Sequence, residues 1–175
     1  MQLKQWSVVI LLAGVLVGCG SSGPSVPVPP PFVDPVAPAG RLAAVEQVAG
    51  AQDNELSVQP LRDPMVEDLR EQAAQARAAG DLAAAAAALD QALTLVEGDP
   101  GVLQERAELA LLAGDPALAE QHARAALALG SRTGPLCRRH WATVWQSWLA
   151  RGDDTNAASA RAQVDGCTVP PIERY

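Results

Sequence analysis

Residues 99–115 read DPGVLQERAELALLAGD, and both ends of this stretch carry signals for a helix terminus. Asp99 is a favoured N-cap residue, and Pro100 follows at the first helical position, where its missing N–H costs no hydrogen bond. Gly114 comes after the apolar-periodic segment, where a helix end favours a residue that tolerates the left-handed conformation. The stretch therefore predicts one helix over 100–113.

The same signals recur on both sides of this helix. Asp-Pro pairs also occur at 63–64 and 115–116, and glycines follow the other apolar segments at positions 80, 98, 130, 152 and 166. We expect an Asp-Pro pair to begin a helix and a glycine to end one. No segment predicts a strand, so the predicted fold class is all-α, with six helices in three antiparallel pairs. The expected pairs are 64–79 with 82–97, 100–113 with 116–129, and 136–151 with 154–165.

A short turn repeats along this region. The dipeptide Gly-Asp at 80–81 recurs at 114–115 and at 152–153, spacings of 34 and 38 residues. Alanines recur at matching places within the helices, where a small side chain lets two helix backbones approach closely. With a period of 34, these features resemble the tetratricopeptide repeat (TPR) over residues 63–166. The resemblance implies a short TPR-like α-solenoid of about three helix pairs. The alanines at the family's small positions are Ala73, Ala85, Ala92, Ala107, Ala119, Ala126 and Ala157.

The third pair departs from the repeat pattern. Trp145 occupies a position where the family has Ala or Gly, and it lies with Trp141 and Trp148 at i, i+4 and i+7 on one helix face. These residues either form a hydrophobic cap on the short solenoid or leave at least one ring exposed as a hot spot for a partner. The sequence leaves both alternatives open.

The N-terminus carries an export signal. Lys4 precedes a run of 12 mostly apolar residues, which ends in LVGC at 16–19. Such a run is shorter than the roughly 20 residues that span a bilayer. The tetrapeptide resembles the lipobox of bacterial lipoproteins, which implies that the signal peptide 1–18 is cleaved and that Cys19 carries diacylglycerol and a further acyl chain such as palmitate. A plain signal peptide and a transmembrane anchor are the alternatives.

Proline, serine, valine, alanine and glycine dominate the chain from Gly20 to about Arg62. Proline favours extended polyproline II at about 3.1 Å per residue, so about 40 extended residues reach on the order of 120 Å. Leu42, Val45 and Ala49 have helical spacing, so a short helix over 41–50 is the alternative, but no strong cap or long apolar face accompanies them. We therefore predict a disordered tether. The predicted domain order is signal peptide at 1–18, lipidated cysteine and tether at 19–62, helical domain at 63–167, and C-terminal tail at 168–175.

Two cysteines remain once Cys19 is assigned to lipid. Cys137 and Cys167 form an even pair in a chain that is expected to reach an oxidising compartment. Cys137 lies near the start of the fifth expected helix and Cys167 just past the end of the sixth, and these ends meet in an antiparallel hairpin. We predict that the two form a disulfide; two free thiols are the alternative.

Charge and residue pattern argue against several classes of function. The chain has 13 Lys and Arg against 20 Asp and Glu, a formal net charge of −7, and no basic run, so no nucleic-acid partner is expected. His122 and His140 each stand alone, without Cys or carboxylate at metal-ligand spacing. No nucleophile, acid and base are grouped. We expect no enzyme activity, metal, cofactor or small-molecule substrate.

The TPR resemblance also implies a binding surface. In that family the first helices of successive pairs line a concave groove that receives peptides or partner helices. Arg70, Arg77 and Arg139 fall on these helices and are expected to clamp a partner's carboxylate. The alternative is a solvated face with surface ion pairs such as Glu67 with Arg70. By alignment the groove positions are Glu67, Arg70, Ala74 and Arg77 in the first pair, Gln104, Glu108, Leu111 and Leu112 in the second, and Arg139, Ala142, Gln146 and Leu149 in the third.

A short repeat domain on a long proline-rich tether resembles the outer-membrane lipoproteins that activate bifunctional penicillin-binding proteins. This resemblance implies a chain that is anchored in the outer membrane, faces the periplasm and regulates peptidoglycan synthesis by binding a periplasmic or inner-membrane protein. Gly20 after the anchor cysteine is compatible with outer-membrane sorting. The alternatives are a pilotin or assembly factor for a type IV pilus or secretin and, from a different class, a peptidoglycan-modifying enzyme.

Overall fold

Seven α-helices and no strand are present in residues 30–50 and 63–168, the parts of the chain that this computed structural model describes. The six helices after residue 63 agree with the expected ones to within two residues at every end. The prediction of an all-α, TPR-like fold is therefore confirmed. The helices are α1 Pro38–Ala49, α2 Pro64–Ala78, α3 Leu82–Leu95, α4 Pro100–Leu112, α5 Pro116–Leu129, α6 Gly134–Ala150 and α7 Asp154–Gly166.

Several predictions lie outside the described residues: the signal peptide, the lipidation of Cys19, the tether over 19–29 and 51–62, and all but the first residue of the C-terminal tail. Among the helices that are described, none combines the length and the apolar character that crossing a membrane requires.

Aspartates cap most of these helices, three of them at the predicted Asp-Pro pairs. The Asp99 carboxylate accepts hydrogen bonds from the backbone N–H groups of Gly101 at 2.7 Å and Val102 at 3.0 Å. The first turn of a helix leaves these donors without a helical acceptor, so the cap stabilises the helix start. Side-chain caps of the same kind are made by Asp63, Asp81, Asp115 and Asp153.

Glycine ends only some of the helices in the expected conformation. Gly130 and Gly166 have no positive φ, so the prediction that they end helices in the left-handed conformation is wrong. Gly130 is needed for space instead, since a Cβ there would lie 2.8 Å from the carbonyl oxygen of Ala126 and 3.2 Å from Cβ of Pro100. A left-handed φ, between 73° and 82°, occurs at Gly80, Gly98, Gly114 and Gly152.

The helices pack in three pairs, as the alanine pattern predicts. The first pair is α2 with α3, the second is α4 with α5, and the third is α6 with α7. All seven alanines predicted at small positions are buried, with at most 5% of their surface exposed. Leu89, Val102 and Leu109 join one buried cluster that links the first pair to the second. The pairs therefore share a core, which a short solenoid needs for stability.

Cys137 and Cys167 form the predicted disulfide, with their Cα atoms 5.7 Å apart. The bond joins the first turn of α6 to the residue that follows α7. Beside it, the backbone N–H of Gly134 donates to the carbonyl oxygen of Cys167 at 2.8 Å. The cross-link closes a loop of 30 residues, and on the chain-entropy model it stabilises the third pair by about 3 to 4 kcal/mol.

Helix α1 contradicts part of the predicted tether. The disorder expected over 19–62 is wrong at residues 38–49, which form a helix that packs against α6 and α4. Leu42 is 5% exposed and Val45 is fully buried. The local signals are weak because Ala37 provides no side-chain cap and the first turn has no acidic residue. Tertiary packing stabilises this helix, which is why its own sequence did not predict it.

The position of α1 decides which part of the helical face is open. Val45 packs in one cluster with Leu111 of α4 and Ala142 of α6. Arg41 adds a hydrogen bond from its Nη1 to Oε1 of Gln146 on α6, at 3.0 Å. Helix α1 therefore covers the face that the first helices of the second and third pairs form together.

Candidate functional site

Most groove positions predicted in the second and third pairs do not lie on an open surface. Leu111 and Ala142 are buried against α1, and Gln146 is 4% exposed. Leu112 and Leu149 are half-buried. The expectation of one groove across all three pairs is therefore wrong, because this chain fills the part between α4 and α6 with its own α1.

Gln104 and Glu108, also predicted to line the groove, belong to a buried polar network. Gln104 Nε2 donates to the Glu108 carboxylate and to the Thr143 hydroxyl, each at 2.8 Å. Its Oε1 lies 2.6 Å from Nδ1 of His140, so that ring nitrogen must carry the proton. Burial, helped by the positive charge of Arg139, lowers the pKa of His140 to about 4 and keeps the ring neutral at pH 7. The network joins α4 to α6 within the domain.

An open pocket remains at the other end of the same face, beside the first pair. Its volume is about 700 Å³, and it is lined by α2, α3, α4 and the N-terminal half of α6. It contains the four groove positions that the sequence predicted in the first pair. It is named the α2 pocket here, and its charged lining consists of the acids Glu67, Asp68, Glu71, Glu105 and Glu108 and the bases Arg70, Arg77 and Arg139.

Arg70, the first of the three arginines predicted to clamp a partner's carboxylate, is paired with carboxylates of this chain. Its Nη1 donates to Glu67 at 2.8 Å, the ion pair that the sequence offered as the alternative. Its Nε donates to Glu105 on α4 at 3.0 Å. The hydrogen bonds to Glu105 raise the pKa of Arg70 and outweigh the opposing effect of burial. Arg70 thus links α2 to α4.

Arg139 and Arg77 are paired as well. Burial acts to lower the pKa of Arg139, but the hydrogen bonds to Glu108, one of them 2.6 Å long, raise it overall. Arg77 donates to Glu46 of α1 at 3.3 Å on the exposed surface. A partner's carboxylate would have to displace one of these acids, so the geometry argues against the predicted clamp.

The α2 pocket has more acids than bases. Five carboxylates and three guanidinium groups line it, an excess of two negative charges. These carboxylates do not form a metal site, since no group of three or more His, Cys, Asp or Glu in residues 30–50 and 63–168 is placed to hold a metal ion. Because of its excess negative charge, the pocket is suited to a cationic group of another kind.

Sequence reasoning missed four charged residues of this site, namely Asp68, Glu71 and Glu105 of the lining and Glu46 at the rim. A signal existed for two of them, because Glu71 lies at i+4 from Glu67 and Glu105 lies three residues before Glu108, so each pair shares a helix face. Glu46 carried no such signal, since it reaches the pocket from a helix outside the repeat.

The three tryptophans are half-buried on the third pair. Trp145 and Trp148 pack against a buried cluster that joins the second and third pairs. Arginine side chains cover their outer faces, with Arg161 4.7 Å from the Trp145 ring centre and Arg151 3.8 Å from that of Trp148. This packing favours the hydrophobic cap over an exposed hot spot.

The fold and the pocket define a class of protein: a short TPR-like helical domain in which the chain's own α1 covers part of the predicted groove. No family model and no curated protein matches the chain. Among solved structures, it is similar to the globular C-terminal domain of P. aeruginosa LpoP, with 33% sequence identity and a TM-score of 0.57. The match covers 60% of this chain and 99% of that domain. The chain therefore belongs to the family of this LpoP domain.

Proposed function

We propose that this chain is a lipid-anchored regulator that binds a bifunctional penicillin-binding protein in the periplasm and activates peptidoglycan synthesis. The observation that carries the proposal is the match to the LpoP domain over 99% of its length at 33% identity. It agrees with the resemblance of the sequence to lipoprotein activators of these synthases. Membership in one family supports a shared kind of partner, a protein, more strongly than fold alone would.

The binding surface that we propose is the α2 pocket. It is open, it occupies the position of the TPR groove, and it combines charged and apolar lining residues, as protein-binding surfaces do. The rest of the groove is filled by α1, which supplies Val45 to the core. A partner can therefore contact the first pair without unfolding any part of the domain.

The lipid anchor that we propose rests on LVGC at 16–19. Because α1 belongs to the folded part, the proline-rich tether runs from Gly20 to about Asp34 and not to Arg62. About 15 residues remain, and they reach about 47 Å when fully extended. On this proposal the contacted region of the synthase must approach the outer membrane to within that distance plus the width of the domain.

The test is glycan polymerisation by the bifunctional penicillin-binding proteins of the same bacterium, with and without the full chain. We expect binding and a several-fold faster reaction with one of them. Cys19→Ser is the matched variant, because it removes the lipid and leaves the domain unchanged. It is expected to stimulate the purified synthase fully, to lose palmitate labelling in cells and to fail to complement a deletion. Absence of both binding and stimulation with every such synthase would contradict the proposal.

A further inference from the structure

The α2 pocket is the part of the predicted groove that α1 leaves open. Leu42 and Val45 of α1 are buried, Val45 against α4 and α6, while Glu46 pairs with Arg77 of the pocket lining. The same helix therefore closes one end of the face and neutralises Arg77 at the edge of the other.

All three arginines of the pocket already have acidic partners: Arg77 is paired with Glu46, and the other two are paired with acids of the pocket lining. Arg70 holds Glu67 and Glu105, and Arg139 holds Glu108. Neither Asp68 nor Glu71 forms a salt bridge with any described residue, and both side chains are exposed on α2. A carboxylate from a partner would meet uncompensated negative charge, whereas a cation would be attracted.

The floor of the pocket is apolar. Ala73, Ala85, Leu89 and Leu109 form it, and all four are buried residues of the core that links the first two pairs. Lysine and arginine lay their methylene groups along such a surface and keep the charged end at a polar rim. The volume of about 700 Å³ lies within the range of protein pockets that enclose a ligand of several side chains' size.

We infer that the α2 pocket docks a lysine- or arginine-bearing segment of the partner protein, with Asp68 and Glu71 accepting its cationic side chains. Apolar stems lie over Leu89 and Leu109, and the charged ends reach the acids on α2. The inference deepens the proposed function and rests on it for the class of partner, while the chemistry of the segment follows from the pocket itself.

The test uses two synthetic alanine-based peptides of equal length, one with three lysine or arginine residues and one with glutamate at the same positions. Each is added to the ¹⁵N-labelled full chain in detergent at low salt, and amide signals are followed by NMR. We expect the basic peptide to shift the signals of Ala74, Ala78 and Leu109, and the acidic peptide to leave them unchanged. Asp68→Asn combined with Glu71→Gln is expected to weaken binding of the basic peptide about five-fold, since two exposed ion pairs are lost.

The matched control is Glu97→Gln combined with Asp165→Asn, which changes the net charge equally at exposed positions outside the pocket. It is expected to leave binding unchanged. Equal loss in both double variants, or equal shifts with the acidic peptide, would overturn the inference.

Synthase stimulation, measured separately, distinguishes the two proposals. If the chain stimulates a synthase but does not bind the basic peptide, only the pocket inference fails. If it binds the basic peptide in the α2 pocket but neither binds nor stimulates any synthase, the proposed function fails and the chemistry of the pocket stands.

Discussion

The face formed by α2, α4 and α6 is covered by α1 at one end and open at the other. At the end formed by α4 and α6, groove positions such as Leu111 are covered by α1 and belong to the core. At the α2 end, the corresponding positions, such as Ala74, stay exposed and line an open pocket. The same repeat pattern runs through both ends. The pattern thus decides where the helices lie, and a segment outside the repeat decides which positions remain available for binding.

Val45→Asp is expected to disrupt the packing of α1 on the α4–α6 end of the face. Of the changes considered, it should have the largest effect on the free energy of unfolding. It loses the burial of a valine and places a carboxylate next to Leu111 and Ala142, so the free energy of unfolding should fall by about 4 kcal/mol. Denaturant unfolding followed by tryptophan fluorescence measures it, since Trp141 packs against the same cluster. Gln47→Asp adds the same charge at an exposed position of α1 and should cost less than about 0.5 kcal/mol. Equal losses in the two variants would contradict the packing of α1.

Lower pH is expected to weaken the covered end through His140. Its pKa is about 4 in the folded protein, against 6.5 ordinarily. Between these values the unfolded chain binds a proton that the folded chain does not, so stability falls as the pH drops from about 6.5 toward 4. The loss between pH 7 and pH 5 should be about 2 kcal/mol.

Denaturant unfolding of the full chain at the two pH values measures this loss. His140→Gln should reduce it but not abolish it, because burial also lowers the pKa of His122. Unchanged or greater stability of the natural chain at pH 5 would contradict a buried, neutral His140.

The sequence predicted the six paired helices because their signals are local. Asp99, Pro100 and Gly114 each act on the backbone within a few residues, so one stretch of chain contains the information for its own ends. Helix α1 has no comparable cap, and its stability depends on Val45 meeting residues far along the chain. Periodicity alone could not place such a helix.

In the candidate site too, the sequence predicts contacts within one helix and does not predict contacts between helices. Glu67 and Arg70 were paired from their spacing on one helix, and the structure contains that pair. The bond from Arg70 to Glu105 joins two helices over a separation of 35 residues, which spacing on one helix does not reveal. Gln104 was expected to line a groove, yet it is buried because His140 of another pair meets it.

Removing the cap of α4 is expected to lower the stability by a smaller amount, and it tests the contrast between the capped helices and α1. Asp99→Ala removes the acceptor for two backbone N–H groups at the start of α4, and it should cost about 1 kcal/mol of stability. Asp99→Asn keeps an acceptor oxygen and should retain most of that energy. Thermal or denaturant unfolding of the two variants measures the difference. If the alanine and asparagine variants were equally stable, the cap would not contribute as described.

The smallest effect is expected where α1 meets the open end. Glu46 and Arg77 form an exposed ion pair of 3.3 Å, and such pairs contribute less than about 1 kcal/mol. A double-mutant cycle with Glu46→Gln and Arg77→Gln measures the coupling, which should decrease as salt is added. A coupling above about 1.5 kcal/mol would mean that this contact, and not the burial of Val45, holds α1 in place.

Hydrogen exchange of the full chain, alone and bound to its synthase, tests the difference between the two ends most directly. We predict slower exchange on binding in residues 67–78 of α2, which line the open pocket, and no change in residues 38–49 of α1. Faster exchange in α1 together with protection at Leu111 and Ala142 would contradict this, because the partner would then occupy the end of the face that α1 covers.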